Sequence, residues 1–510
     1  MATAAKRPKV EGSERLQNFL QWCRTAGLVL STKVCVSTEG TVADYGMVAT
    51  DDIHDGEVLF TIPRSALLHQ GTTKVSALLE AGKQDLQSSS GWVPLLLALL
   101  HEYTTPQSRW TPYLSLWPDF SALDQPMFWS RAERDGLLRG TGVPRAVETD
   151  LSNIQREYQH VALPFMRRHP DVWSPGTHTL QLYTRLVAFV MAYSFTEPRG
   201  EDGDEEEDDE EEDEEEAPGP PMMVPMADML NHVSRHNAQL EFTADSLKMV
   251  SMRYIRRGEE VFNTYGQLAN AQLLHMYGFT EPYPSNANDT ADVPVSNLLA
   301  AARRGDGAEG AEKSVNAQKA VGSGAELERV ELEQLVEARV ELEQLVEARV
   351  ELEQLVEARV ELLSETMQEK GAFVFSEQGC LTDSELHAAL KVLCMTKEEL
   401  VEFRDNEGWE EDDEDDETSH AFSNEGLPGL KASWKRLIHE ATRLTLGSYR
   451  DGGAEDGAAD GDTDGDTDGD RLLMEDEAAL QRLSSRQGKA LQVRYGQKRI
   501  LYRLLELTQS

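Results

Sequence analysis

Two short segments carry side chains that could hold a small polar molecule and steer a nucleophile. In Asp228-Met229-Leu230-Asn231-His232 an amide stands beside an imidazole, and both side chains offer donor and acceptor groups. Tyr265 follows His232 by 33 residues, in Phe262-Asn263-Thr264-Tyr265-Gly266. A tyrosine hydroxyl at that place could orient an attacking group. Taken singly, Asn231-His232 reads as a capped turn, and Tyr265 before Gly266 reads as a strand-end aromatic. The two segments in this order and at this spacing are far more specific than either half.

The elements that must position them form an α+β pattern. Residues 14–30 place Leu16, Phe19, Leu20, Trp22 and Cys23 at helical spacing. Strands are expected within 34–62, from Val34, Val36, Val42, Met47, Val48, Val58, Phe60 and Ile62. From about 90 to 198 the pattern is helical, opening on the apolar run Trp92–Tyr103 and broken at prolines 112, 118, 126, 144, 164 and 175. Strand-like segments return at 222–224, 239–242, 248–252 and 260–262, and beyond Pro284 the chain is again mainly helical. The expected domains are a basic tail (1–12), an N-terminal β part (13–89), a helical insertion (90–200), an acidic loop (201–221), a C-terminal β part (222–285) and a helical domain (295–510). That last domain holds a decapeptide repeat at 330–359 and acidic loops at 410–420 and 451–470.

The repeat, Val330 to Arg339, occurs three times without change through Arg359. Its residues favour helix, but ten residues turn about 1,000°, so each copy's apolar positions fall about 80° from the last. No straight stripe forms, which predicts a projecting, solvated helix and weighs against a coiled coil.

The net charge of −42 is concentrated. Residues 201–216 hold fifteen acids, 410–417 are all acidic and 455–470 hold eight more; without these 31 charges the chain stands at −11. Such runs repel internally and bury little, so they are expected to be disordered, as solubilising spacers or as attractors of basic partners. The same charge argues against nucleic-acid binding. Cys23, Cys35, Cys380 and Cys394 include no C-x-x-C pair, which fits a reducing compartment and no zinc cluster. Asp464, Asp466, Asp468, Gly469 and Glu475 match a calcium-loop pattern, but inside a Gly-Asp-Thr repeat that generates such matches freely, so no metal site is expected. No apolar run of membrane-spanning length occurs, so no membrane association is expected. Lys6-Arg7-Pro8-Lys9 fits either a nuclear import signal or a solvated tail.

The paired motifs resemble those of SET-domain protein methyltransferases. The arrangement is similar to the Rubisco large-subunit methyltransferase-like class, in which a SET β-fold is split by a helical insertion and followed by an all-α C-terminal substrate-binding domain. It also resembles a nuclear lysine methyltransferase that monomethylates the RelA subunit of NF-κB. The resemblance implies S-adenosylmethionine as cofactor, lysine as acceptor, RelA-like or histone protein substrates and a nuclear location. It implies Tyr265 as the catalytic residue. It implies Ala43, Asp44, Tyr45, Tyr193, Asn231, His232 and Tyr277 as cofactor-binding residues, and Trp92, Ser194 and Thr196 as substrate-binding residues. Where the family carries Gly-x-Gly, this chain reads Asp44-Tyr45-Gly46. Two other readings stand beside this one: a histidine methyltransferase of the same fold, and an inactive SET scaffold that binds basic partners. Oligomeric state is not written in the sequence.

Overall fold

The computed structural model describes residues 9–117, 123–198, 219–304, 350–364, 371–405, 420–449, 473–474, 476–480 and 485–509. The three acidic runs, Lys6-Arg7-Pro8, the first two copies of the decapeptide and most of the calcium-loop pattern lie outside these residues. The chain divides into two compact units, one drawn from Met1–Arg131 and Val143–Asn286, the other from Ala132–Gly142 and Ala287–Ser510.

The first unit holds two four-stranded sheets. Strands β1 (Val29–Leu30), β2 (Val34–Ser37), β3 (Gly46–Ala49) and β4 (Val58–Pro63) come before the helical segment. A short pair, β5 (Ser194–Phe195) and β6 (Met222–Met223), follows it. Then come β7 (Asn231–His232), β8 (Ala238–Phe242), β9 (Ser246–Ser251) and β10 (Glu260–Asn263). The sheet orders are β1-β4-β9-β8 and β2-β3-β10-β7. Both sheets therefore join strands from either side of the helical segment, pairings of high sequence separation that a local pattern cannot announce. One pairing is parallel: β10 runs beside β7 with Phe262 opposite Asn231 and Asn263 opposite His232. It sets the two motif segments side by side.

The helical segment packs behind these sheets. In the helix Val93–Thr104 every residue from Leu95 to Leu100 is buried, which is why its sequence is apolar on all faces rather than amphipathic. Each buried leucine contributes about 1.5–3 kcal/mol relative to an exposed one. The opening helix, Lys9–Thr25, buries Phe19 and Cys23, with Trp22 5.5 Å from Trp110. It stops short of the expected residue 30 because Gly27 takes φ +88°, a left-handed turn that glycine adopts without cost, and releases Val29–Leu30 into β1. Val42, expected in a strand, lies outside β3 and is 69% exposed.

The second unit is helical, with helices over 295–304, 350–364, Asp383–Leu393, Lys397–Asp405, Ala432–Gly447 and Arg486–Leu507. One two-stranded sheet departs from the all-α expectation. Strand β11 (Thr290–Pro294) pairs antiparallel with β12 (Ala372–Ser376), whose Phe373 and Phe375 are buried on one face. The last repeat copy also departs from the expected solvated helix, because it buries Val356 and the following Val360 and Leu363 in this unit's core. Leu363 stands ten residues after Glu353, so past Arg359 an apolar residue replaces the glutamate that a further copy would carry.

Candidate active site

The strand-borne side of the site begins at Gly46, the first residue of β3. A Cβ built there would lie 2.4 Å from Glu260 Oε1 and 2.5 Å from Thr41 Cγ2, so only glycine lets the 41–46 loop close on β10. Glu260 then ties the loop down. Its Oε2 accepts the Val42 N–H at 2.9 Å, and its Oε1 accepts an amide hydrogen of Asn231 at 2.6 Å. The same Asn231 amide donates to the Tyr45 carbonyl at 2.8 Å. Both of its hydrogens are thus spent on fixing the loop. Asp44, which replaces the family's first glycine, is exposed at the rim, whereas the enclosed glycine is present.

His232 Nδ1 accepts the backbone N–H of Tyr265 at 3.0 Å. Burial holds the imidazole below its ordinary pKa, so the ring is neutral and its proton is assigned to Nε2 by that hydrogen bond. Nε2 is buried and has no partner. Tyr265 stacks on His232 (5.1 Å, 28°) and on Tyr277 (4.8 Å, 25°) and meets Phe279 edge-on at 6.3 Å. Its hydroxyl donates to the Leu230 carbonyl at 2.9 Å, and burial drives its pKa well above the ordinary phenol value. It is therefore a neutral phenol whose hydrogen is committed and whose oxygen lone pairs are left to accept. Tyr277 and Phe279 flank Gly278, which ends the helix Asn270–Tyr277 at φ +79° with a Cβ position only 3.0 Å from the Asp124 backbone. That turn points both aromatics toward one place.

The helix-borne side comes from the insertion. The helix Leu180–Tyr193 is capped by the Thr179 hydroxyl, which accepts the Leu182 N–H at 3.3 Å, and it delivers Phe189 and Tyr193. Trp117 stacks on Phe189 at 3.8 Å and Phe189 on Tyr193 at 4.4 Å. Desolvation raises the Tyr193 hydroxyl to about 12. The Tyr113 hydroxyl donates a short hydrogen bond to Asp228 Oδ2, and burial pushes the Asp228 carboxyl up to about 7.

These two sides enclose a cavity of about 580 Å³, a size suited to a nucleoside-sized ligand with room for a side chain. Ala43, Asp44, Tyr45, Tyr193, Asn231, His232, Tyr265 and Tyr277 all line it. Trp92, Ser194 and Thr196 do not. Trp92 instead precedes the helix Val93–Thr104 and packs against the core, and Ser194 pairs with Met223 in β5–β6. Sequence reasoning gave no role to Tyr113, Trp117, Phe189, Asp228, Phe279 or Glu281, which also line the cavity. Asp228 sits inside the motif segment 228–232 and Phe279 two residues beyond Tyr277; Tyr113, Trp117 and Phe189 carry no local signal, being large apolar residues in apolar helices. Among the described residues no cluster of His, Cys, Asp and Glu could hold a metal ion, and no helix is long and apolar enough to cross a membrane.

Comparison with known proteins places these observations. The SET domain family model matches residues 44–266, and the Rubisco LSMT substrate-binding family model matches 351–501. The chain is 55% identical to N-lysine methyltransferase setd6 of Salmo salar and 44% identical to N-lysine methyltransferase SETD6 of Homo sapiens, with 100% of both chains covered in each case. Its fold is similar to the crystal structure of the SET domain of LSMT bound to lysine and AdoHcy, with a TM-score of 0.59 at 16% identity, covering 98% of this chain and 92% of that one. Rubisco LSMT bound to AdoMet superposes with a TM-score of 0.57 at 16% identity, covering 97% and 91%.

Proposed function

The chain belongs to the SET-domain N-lysine methyltransferases, and from that premise we propose that the cavity around Tyr265 is where it transfers one methyl group from S-adenosylmethionine to a lysine of nuclear protein substrates. The observation that carries the reading is the state of Tyr265: a neutral, half-buried phenol with its hydrogen on Leu230 and its ring clamped between His232 and Tyr277.

The cavity fits the cofactor. The unpartnered, buried Nε2–H of His232 is a donor awaiting an acceptor, and leaving it unsatisfied costs about 1–3 kcal/mol. Ala43, Asp44 and Tyr45 form the rim strip, Asn231 holds that strip in place, and Tyr277 offers a flat face. When bound, S-adenosylmethionine supplies a methyl group activated by its sulfonium charge. The remaining work falls to the chain. A lysine ammonium has an ordinary pKa near 10.4, and an aromatic, water-poor channel disfavours its charged form, with the proton passing to water. The Tyr265 oxygen then accepts one N–H of the neutral amine, which leaves the nitrogen lone pair free along the line of attack. Alignment of this kind is worth up to about 7 kcal/mol of the barrier.

The crowding of Tyr193, Tyr265 and Tyr277 around one cavity supports transfer of a single methyl group, because a methylated nitrogen needs added width. The resemblance to a RelA-modifying enzyme supports RelA-like substrates, with histone tails as the second class. The basic cluster Lys6-Arg7-Pro8-Lys9 supports the nucleus. The test is intact mass of RelA fragments and histone tails after incubation with the protein and S-adenosylmethionine. A single +14 Da step (one CH₂, ~14 Da) mapped to lysine is expected. Addition to histidine, or only multiple additions per site, would overturn the reading of acceptor or degree.

A further inference from the structure

The described wall of the cavity includes one carboxylate whose hydrogen bonding is incomplete. Glu281, by contrast, takes the Ser234 N–H at 2.7 Å and the Ser234 hydroxyl on its two oxygens, and Asp44 is exposed at the rim. Asp228 borders the cavity, yet its Oδ1 is shielded from solvent and has no partner, while Oδ2 accepts the Tyr113 hydroxyl and the backbone N–H groups of Met226 and of Asp228 itself help to hold the carboxyl's charge. The groups that face it are Tyr113, Tyr193 and Tyr265 and the buried thiol Cys23, none of them cationic. Its backbone is held there at some cost, since Met226, two residues before, takes φ +83° although it is not glycine, a conformation that surrounding structure must enforce.

A carboxylate with one oxygen unpartnered and no cation among the groups facing it is destabilising beside a ligand cavity until a positive charge arrives. We propose that Asp228 is the counter-charge for the sulfonium of the methyl donor, so that the chain binds the charged donor in preference to its neutral thioether product. The inference rests on the cavity being the cofactor site. Binding of the cationic donor favours the ionised carboxylate, so a proton leaves Asp228 as the donor enters. After methyl transfer the positive charge resides on the substrate nitrogen, the cofactor is a neutral thioether, and its attraction to Asp228 is lost. The same carboxylate that holds the donor therefore assists exchange of the product.

Calorimetry of the full-length protein with S-adenosylmethionine and with S-adenosylhomocysteine, repeated in buffers of different ionisation enthalpy, counts the protons released. With the wild type, the donor should release more protons than the product, with the excess greatest near pH 7, where the Asp228 carboxyl is half ionised. In Asp228→Asn the excess should vanish and donor affinity should fall at least about tenfold, while product affinity stays within about threefold. Tyr113→Phe is the second variant. It removes a hydrogen bond that holds the carboxyl down, so the maximum in proton release should move to higher pH. An unchanged donor-to-product affinity ratio and proton count in Asp228→Asn, or an unmoved maximum in Tyr113→Phe, overturns the inference. Failure of the wild type to bind either ligand would instead overturn the cofactor reading itself.

Discussion

The two walls of the cavity are built by different means and left in different states. The strand-borne wall is closely tied: Asn231 spends its amide on Tyr45 and Glu260, Glu260 closes the 41–46 loop, and Tyr265 is bonded through both its backbone N–H and its hydroxyl. The helix-borne wall is an aromatic ladder, Trp117–Phe189–Tyr193, beside a carboxylate with one oxygen unpaired. The first wall is cross-bonded at each of these groups, as alignment requires, and leaves His232 Nε2 open; the second carries a carboxylate oxygen without a partner, as charge recognition requires. Alignment and charge recognition are thus partitioned between the walls.

Substitutions on each wall should separate these jobs. The largest effect is expected from Tyr265→Phe, which removes the oxygen that aligns the amine. Turnover should fall by roughly 100-fold or more, with cofactor affinity by calorimetry within about threefold of wild type. Equal losses in both would mean that the strand wall binds rather than aligns.

Asp228→Asn should do the reverse in the ligand-free protein and stabilise it. The folded pKa of about 7 lies above an unfolded carboxylate, so ionisation opposes folding. The cost is absent below about pH 4, grows as pH rises toward 7 and is complete above it, on the order of 4 kcal/mol. Thermal unfolding of wild type and variant should therefore diverge between pH 4 and pH 8, the variant melting higher at pH 8. Identical melting across that range would show Asp228 to be paired after all.

Gly46→Ala sets a Cβ 2.4 Å from Glu260 Oε1 and should destabilise the first unit by about 1–3 kcal/mol. A denaturant midpoint shared with wild type would show that the loop can move aside. The smallest effect is expected from Trp92→Ala. Since Trp92 packs against the core and does not line the cavity, stability should fall while turnover under native conditions stays within about twofold. A large rise in substrate KM would restore the groove role that its place at the head of the apolar run first indicated.

The contrast between the walls also governs what could be read in advance. Asn231, His232 and Tyr265 were legible because β7 and β10 pair in register and so carry their side chains in two short, ordered motifs. Tyr113 and Phe189 were not, because they reach the site from apolar helices whose composition reports burial, and burial in a core looks the same as burial against a cavity. Asp228 stood inside the motif, but only its surroundings reveal an unpaired oxygen. The strand β12 was lost among helices for a similar reason: five residues between helical stretches leave little periodicity. The last repeat copy shows the limit most plainly, since its decapeptide is identical to two others, yet Val356 within it is buried alongside Val360 and Leu363 of the segment that follows.

Tyr265 aligns the amine and does not take its proton, a division of roles that a rate measurement can separate. It is tested most directly by the single-turnover rate of methyl transfer to a lysine peptide, followed by mass with cofactor prebound, in wild type and Tyr265→Phe from about pH 6 to 10. Both rates should rise with pH along the same slope as the amine is deprotonated, with the variant lower by a constant factor. Rates that differ most at low pH and converge as the amine becomes neutral would make Tyr265 the base.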